Sequence, residues 1–259
     1  MSRHPILDVF DRITARAPFV RPRALELFCG PGESQAKEYA SLCEFFEGWE
    51  IREDKAAEFK RNFPQATVKV CDVFKEIVGY SGDKFNVVTV DNSFLKAPDF
   101  EHFGIFPGVY RLMAPVCFVV LTVCPDPFTY AEPRKVQLLK AFGNKVNDFM
   151  LDWDKARDAF YGLPPLDPKN LPKPRPVSSV KLDSMESIYR EKFEAAGFKV
   201  PYTFSCMRGK AAGYVMVEAH QEAVEIVTPI DEPIAETTKP KKTKKKGFGA
   251  LGGVLGGGR

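Results

Sequence analysis

The chain has 259 residues, 44% hydrophobic and 27% charged, which provides for one buried core of ordinary size and excludes disorder overall. Thirty-seven Lys and Arg against 34 Asp and Glu leave a formal charge of +3. That balance is too mild to single out a nucleic-acid or membrane protein. The longest near-apolar run, Met113 to Cys124, contains Pro115 and Thr122 and falls short of the ~18 residues of a membrane helix. The first residues lack a continuous apolar stretch and read as no signal peptide. His4, His102 and His220 share no paired spacing, so no histidine metal site is expected. The six cysteines (Cys29, Cys43, Cys71, Cys117, Cys124, Cys206) form no CxxC pair and read as reduced thiols of a soluble cytoplasmic protein.

Residues 1–22 form a basic N-terminal segment in which Ile6 to Ile13 predicts a short helix packed on the core. Ala24 to Cys29 is an apolar run with one carboxylate, bounded by Gly-Pro-Gly, and reads as a buried strand and a tight turn. Glu33 to Leu42 has helical composition with Ser34 as its cap. Cys43 to Trp49 reads as a second strand ending at Glu50, and Glu53 to Asn62 as a charged helix stopped before Pro64. Ala66 to Val70 is a third strand, ending in Cys71-Asp72. Phe85 to Val90 is the fourth, ending in Asp91-Asn92. Helix occupies parts of Asp99 to Met113, interrupted by Gly104 and Pro107. Val116 to Val123 is continuous and apolar, as a strand covered on both faces should be.

The alternation then breaks for an insertion, residues 125–181. It opens on Cys124-Pro125-Asp126-Pro127-Phe128, turns helical over Glu132 to Tyr161, and becomes Pro-rich and basic over 164–181. Leu182 to Ala196 is an amphipathic helix ended by Gly197. Phe198 to Cys206 and Gly213 to Glu218 follow as strands, and their short separator predicts an antiparallel hairpin. Alternating strands and helices argue an α/β parallel sheet over a domain of residues 23–220. Residues 221–259 lose periodicity and end in a Lys- and Gly-rich tail, disordered by composition.

Chemistry is expected at the carboxyl ends of the strands. In Glu26-Leu27-Phe28-Cys29-Gly30-Pro31-Gly32 the glycines let a ligand approach the backbone. Gln35 stands where a dinucleotide fingerprint wants a third glycine, so a pyrophosphate cradle fits poorly. Glu50 can accept from ribose hydroxyls, and Asp72 from an adenine amino group. Asp91 closes the fourth strand. Each carboxylate has a plain alternative, as a polar residue leaving a strand.

This series (Glu26, Gly30-Pro31-Gly32, Glu50, Asp72, Asp91) resembles the class I S-adenosylmethionine-dependent methyltransferases over residues 20–124 and again over 182–220. The resemblance implies a Rossmann-like, doubly wound, mostly parallel α/β sheet of seven strands, the last antiparallel. It implies S-adenosyl-L-methionine as cofactor. Its methionine part would lie on Phe28, Cys29, Gly30 and Gly32 beside Glu26 and Asp91. Its ribose would lie on Glu50 with Ile51 alongside, and its adenine on Asp72 and Val73. Phe28 replaces a first glycine, as in nucleic-acid branches with a Leu-Phe-Cys-Gly-like turn.

Asp91-Asn92-Ser93-Phe94 stands where amine-methylating members carry an Asp-Pro-Pro-Tyr-like motif, which implies Asp91, Asn92 and Phe94 as the catalytic loop. Covalent cytosine chemistry is not expected, because the chain has no Pro-Cys dipeptide. His102 is a candidate base, and Asp126, Phe128 and Tyr130 are candidate pocket residues, each with packing or loop stiffening as the plainer role. The expected acceptor is a nitrogen of a nucleic-acid base, with a small molecule or a protein close behind. Segment 164–181 or the Lys-rich tail would contact the phosphates. An NAD-dependent oxidoreductase and a fold that has lost catalysis stay open. The seven cations of residues 239–259 leave 30 basic against 34 acidic residues, so residues 1–238 carry −4.

Overall fold

The computed structural model describes residues 3–33, 35–91, 101–124, 155–156, 159–162, 181–209 and 212–221, with the side chains of 101 and 102 left aside. Chain contacts separate Met1–Glu222 from Ala223–Arg259, and everything described belongs to the first unit.

Seven strands form one sheet: β1 Arg23–Leu27, β2 Phe45–Glu50, β3 Thr67–Val70, β4 Phe85–Val90, β5 Met113–Val123, β6 Phe198–Met207 and β7 Gly213–Gln221. Their order is β3-β2-β1-β4-β5-β7-β6. β1 to β5 pair in parallel, and β7 runs antiparallel to both β5 and β6. The fold class and the terminal hairpin agree with the sequence. Arg208 N donates to Ala212 O at 2.8 Å across that hairpin.

Alternation along the central strands divides the core in two. Leu25 and Leu27, Val88 and Val90, Val119 and Leu121, and Val215 and Val217 face one side. There they meet Val73 and Ile77 of α4 (Val73–Val78) and Met185, Tyr189 and Phe193 of α6 (Leu182–Ala195). Ala24, Val87, Phe118, Val120, Tyr214 and Met216 face the other side. They meet α1 (Pro5–Arg16), α2 (Ala36–Tyr39) and Phe59 of α3 (Glu53–Asn62). Helix α1 repeats Ile6, Val9, Phe10 and Ile13 at helical spacing, and all four are buried. Its outer residues reach β6: Arg12 lies over the Phe204 ring at 5.2 Å and Arg16 over Tyr202 at 4.2 Å.

Some expectations change. The helix after the glycine turn is shorter than Glu33 to Leu42. It runs Ala36–Tyr39, followed by a 3-10 turn, and Gln35 at its N-cap makes no side-chain cap bond. Ser34 lies outside the described residues. The stretch Asp99 to Met113 holds only α5 (Glu101–Gly104) and a 3-10 turn, Gly108–Leu112. β5 begins three residues early and takes in Pro115. Its pairing with β4 shifts between Met113 and Phe118, so the missing proline N–H falls in an irregular stretch. α4 was not anticipated. Six residues are too few to show a period, and its signal is the cap: Asp72 accepts from Phe74 N at 3.1 Å.

None of the six cysteines is bridged by a disulfide, and Cys29, Cys43 and Cys117 are buried. No helix among the described residues is long and apolar enough to cross a membrane. Most of insertion 125–181, with Asp126, Phe128 and Tyr130, lies outside the described residues, as does the tail beyond residue 221.

Candidate functional site

The sheet order reverses between β1 and β4, the place where open α/β sheets bind ligands beyond their carboxyl ends. The turn after β1 is held from both sides. Cys29 N donates to Trp49 O at 3.1 Å and Gly32 N to Cys29 O at 3.0 Å. Gly30 N donates to Glu50 Oε2 at 2.9 Å. Asn62 Nδ2 of α3 donates to Pro31 O at 2.8 Å. Three residues of the turn are left-handed: Phe28 at φ 58°, Gly30 at 53° and Gly32 at 73°. A bulky side chain pays ~1–2 kcal/mol there, so the Phe28 backbone is strained. Its ring packs 5.9 Å from Phe74 of α4.

The two glycines serve different ends. A Cβ on Gly32 would sit 2.3 Å from Phe63 Cε2 and 2.9 Å from Phe59 Cδ2, so Gly32 is required by packing. A Cβ on Gly30 would meet nothing within 4 Å among the described residues, which leaves open space above the turn on their side. Gly48 of β2 backs the turn, because a Cβ there would press within 2.8 Å of Cys29 Sγ.

The carboxylates occupy three environments. Glu50 is 9% exposed, and its second oxygen accepts from Arg52 N at 3.0 Å. Each Glu50 oxygen therefore holds one backbone N–H and keeps a lone pair for a further donor. Ile51, next in the chain, is 63% exposed and offers an apolar surface beside it. Asp72 is an N-cap whose other oxygen pairs with Lys75 at 3.1 Å. Lys75 is the main cause holding this carboxyl below its ordinary range. Val73 is buried in the core, so only its backbone is available at the edge, and the Cys29 thiol is buried likewise. Asp91 accepts at Oδ1 from Thr122 Oγ1 and from Arg208, each at 3.3 Å.

Glu26 is completely buried. Tyr39 OH donates to its Oε2 at 2.5 Å and lies 2.8 Å from Thr89 Oγ1. Oε1 has no hydrogen-bond partner. Burial, reinforced by the Asp91 charge, pushes this carboxyl up to about 8.

Two participants escaped the sequence reading. Arg208, on the β6–β7 hairpin, reaches Asp91 because β7 runs antiparallel beside β5 and returns the hairpin to the site edge. His4 caps α1 by accepting from Ile6 N at 3.3 Å, and its ring centroid is 6.4 Å from that of Tyr214. Neither follows from local pattern. Tyr39 and Thr89 had a signal: a carboxylate inside an apolar strand needs a buried donor. Asn92 and Phe94 lie outside the described residues, as does the side chain of His102. No group of metal-ligating side chains occurs among the described residues.

No family model matches the chain, and no curated protein does. Among solved structures the chain is similar to magnesium protoporphyrin IX methyltransferase from Synechocystis PCC 6803 with bound SAH. That match has 14% identity over 84% of this chain and 81% of the other, with a TM-score of 0.49. The N-methyltransferase NodS from Bradyrhizobium japonicum WM9, in complex with S-adenosyl-L-homocysteine, matches at 9% identity over 82% and 84%, TM-score 0.47. An amino pentose methyltransferase from Micromonospora echinaspora, solved with SAM, matches at 24% over 47% and 50%, TM-score 0.39. The strand order of this chain, with its seventh strand inserted antiparallel between β5 and β6, is a Rossmann-like, mostly parallel α/β sheet of seven strands.

Proposed function

We propose that this chain is a methyltransferase that takes its methyl group from S-adenosyl-L-methionine and delivers it to a nitrogen of a nucleic-acid base. The observation that carries the cofactor reading is the Gly30 N–H to Glu50 bond, which joins the open glycine turn to a half-satisfied carboxylate across the β1–β2 edge. The residues present fit the cofactor. Open space lies above Gly30, Glu50 keeps two lone pairs for ribose hydroxyls, and exposed Ile51 offers an apolar face to the adenine. When bound, the cofactor supplies an electrophilic methyl group on a sulfonium.

The chain's own part is to position and to accept a proton. Asp91 Oδ1 is held by Thr122 and Arg208, which fixes the carboxylate at the β4 terminus. From there it can orient the N–H or O–H of an incoming nucleophile, and orientation supplies much of the rate of a displacement. The base-nitrogen acceptor rests on the Leu27-Phe28-Cys29-Gly30 turn and on Asp91-Asn92-Ser93-Phe94. A small-molecule acceptor is the second reading, favoured by the net −4 of residues 1–238. Labelled S-adenosylmethionine offered with DNA, RNA, protein and metabolite fractions in parallel decides between them. Label in DNA or RNA supports the first reading, and label confined to metabolites rejects it.

A further inference from the structure

Glu26 is a fully buried carboxyl at the penultimate position of β1, two residues before the turn begins. Among the described residues no cation touches it. Tyr39 OH donates to its Oε2 and the Gln35 side chain lies beside it, while among the described residues Oε1 and the Gln35 Oε1 have no hydrogen-bond partner. The groups facing it come from every element around. They are Gln35 at the N-cap of α2 and Tyr39 at its end, Thr89 of β4 and Asp91 just beyond it, and Cys29 from the turn. Cys43 precedes β2, Tyr214 stands on β7, and Arg208 on the hairpin. Arg208 is the one cation in this set, and it is paired with Asp91. A buried carboxylate lacking its own counter-ion and set beside a second carboxylate neutralises itself by taking a proton.

We propose that Glu26 is the neutral acid in the empty site and gives up its proton to solvent when the cationic cofactor binds. This inference rests on the cofactor reading above. No bond other than O–H is broken: the carboxyl becomes a carboxylate, the proton leaves to buffer, and the positive charge arriving over the turn replaces it. Cofactor affinity is then linked to pH. With the empty-site acid at about 8 and the carboxyl fully ionised once the cofactor is bound, binding at pH 7 releases about 0.9 proton. Affinity rises about ninefold from pH 6 to 7 and about fivefold from pH 7 to 8, then levels.

The test is titration calorimetry of S-adenosylmethionine into the full chain at pH 7, in buffers of different ionisation enthalpy, with Glu26→Gln in parallel. The expected result is proton release near one in the wild type and near zero in Glu26→Gln, whose affinity is flat with pH. Binding by the wild type without proton release, or equal release by the variant, overturns the inference and leaves the cofactor reading standing. No binding by the well-folded wild type brings down both. Should Glu26→Gln fail to fold, the carbon-13 shift of the Glu26 carboxyl in the wild type gives the same answer. It must titrate near pH 8 without cofactor and stay ionised at pH 7 with it, and a carboxyl already ionised at pH 7 without cofactor refutes the inference.

Discussion

Replacing Gly32 by Ala separates the packing role of this glycine from the binding role of its neighbour. Gly32 is left-handed at φ 73°, which alone costs an Ala ~1–2 kcal/mol. Its new Cβ would lie 2.3 Å from Phe63 and 2.9 Å from Phe59, well inside contact distance. Phe59 is completely buried and packed between Phe46, 5.5 Å away, and Phe63, 4.8 Å away, so its ring has no room to retreat. Overpacking of this kind adds ~1–3 kcal/mol. The total, about 2–5 kcal/mol, corresponds to a fall in Tm of about 5–15 °C for a domain of this size. Gly30→Ala, at φ 53° with open space around it, carries the conformational cost alone. Thermal melts of both variants check this. A Gly32→Ala variant within about 2 °C of wild type, or no less stable than Gly30→Ala, refutes the reasoning.

Other outcomes follow from single contacts. Glu50→Ala strips the acceptor from Gly30 N and Arg52 N and from any ribose hydroxyl. Affinity for S-adenosylhomocysteine falls ~10- to 150-fold by calorimetry, corresponding to ~1.5–3 kcal/mol of charge-assisted hydrogen bonding. Tyr39→Phe removes the hydroxyl shared by Glu26 and Thr89 in a dry site and lowers unfolding stability by ~1–3 kcal/mol in urea. His4 is held below its ordinary value by burial, then by Arg208, and its neutral Nδ1 caps α1. A group depressed in this way supports the fold fully above its unfolded pKa near 6.5 and loses that support as pH falls through its folded value. Melts at pH 7.5 and 5.5 will therefore show a larger loss for wild type than for His4→Asn, which keeps a cap acceptor and does not titrate.

The sheet was legible because its strands are apolar runs that end in a carboxylate or a glycine turn. Phe85–Val90 and Glu53–Asn62 fall where the residues place them. Strand order was not legible from periodicity. The short separator between β6 and β7 announced only that these two strands are antiparallel, which the family resemblance repeats. The carboxylates were readable as a series but not as individuals. Glu50 ties the turn to β2, Asp72 serves as a helix cap, and Glu26 is sealed in the core, although all three look alike at the end of an apolar run. Burial and partners decide such roles, and both come from segments distant in the chain. Arg208 lies 117 residues from the Asp91 it pairs with, and nothing local announces that meeting. Val73 makes the same point, since it stands beside Asp72 at the strand edge while α4 turns its side chain into the core and leaves its backbone at that edge.

Titration calorimetry of S-adenosylhomocysteine into the wild-type chain tests the central claim, that the carboxyl edge around Gly30 and Glu50 holds this cofactor. One saturable site per chain, weakened by a Glu50→Ala variant that still melts cooperatively, is the predicted result. A wild type that melts cooperatively and gives no binding heat contradicts the account.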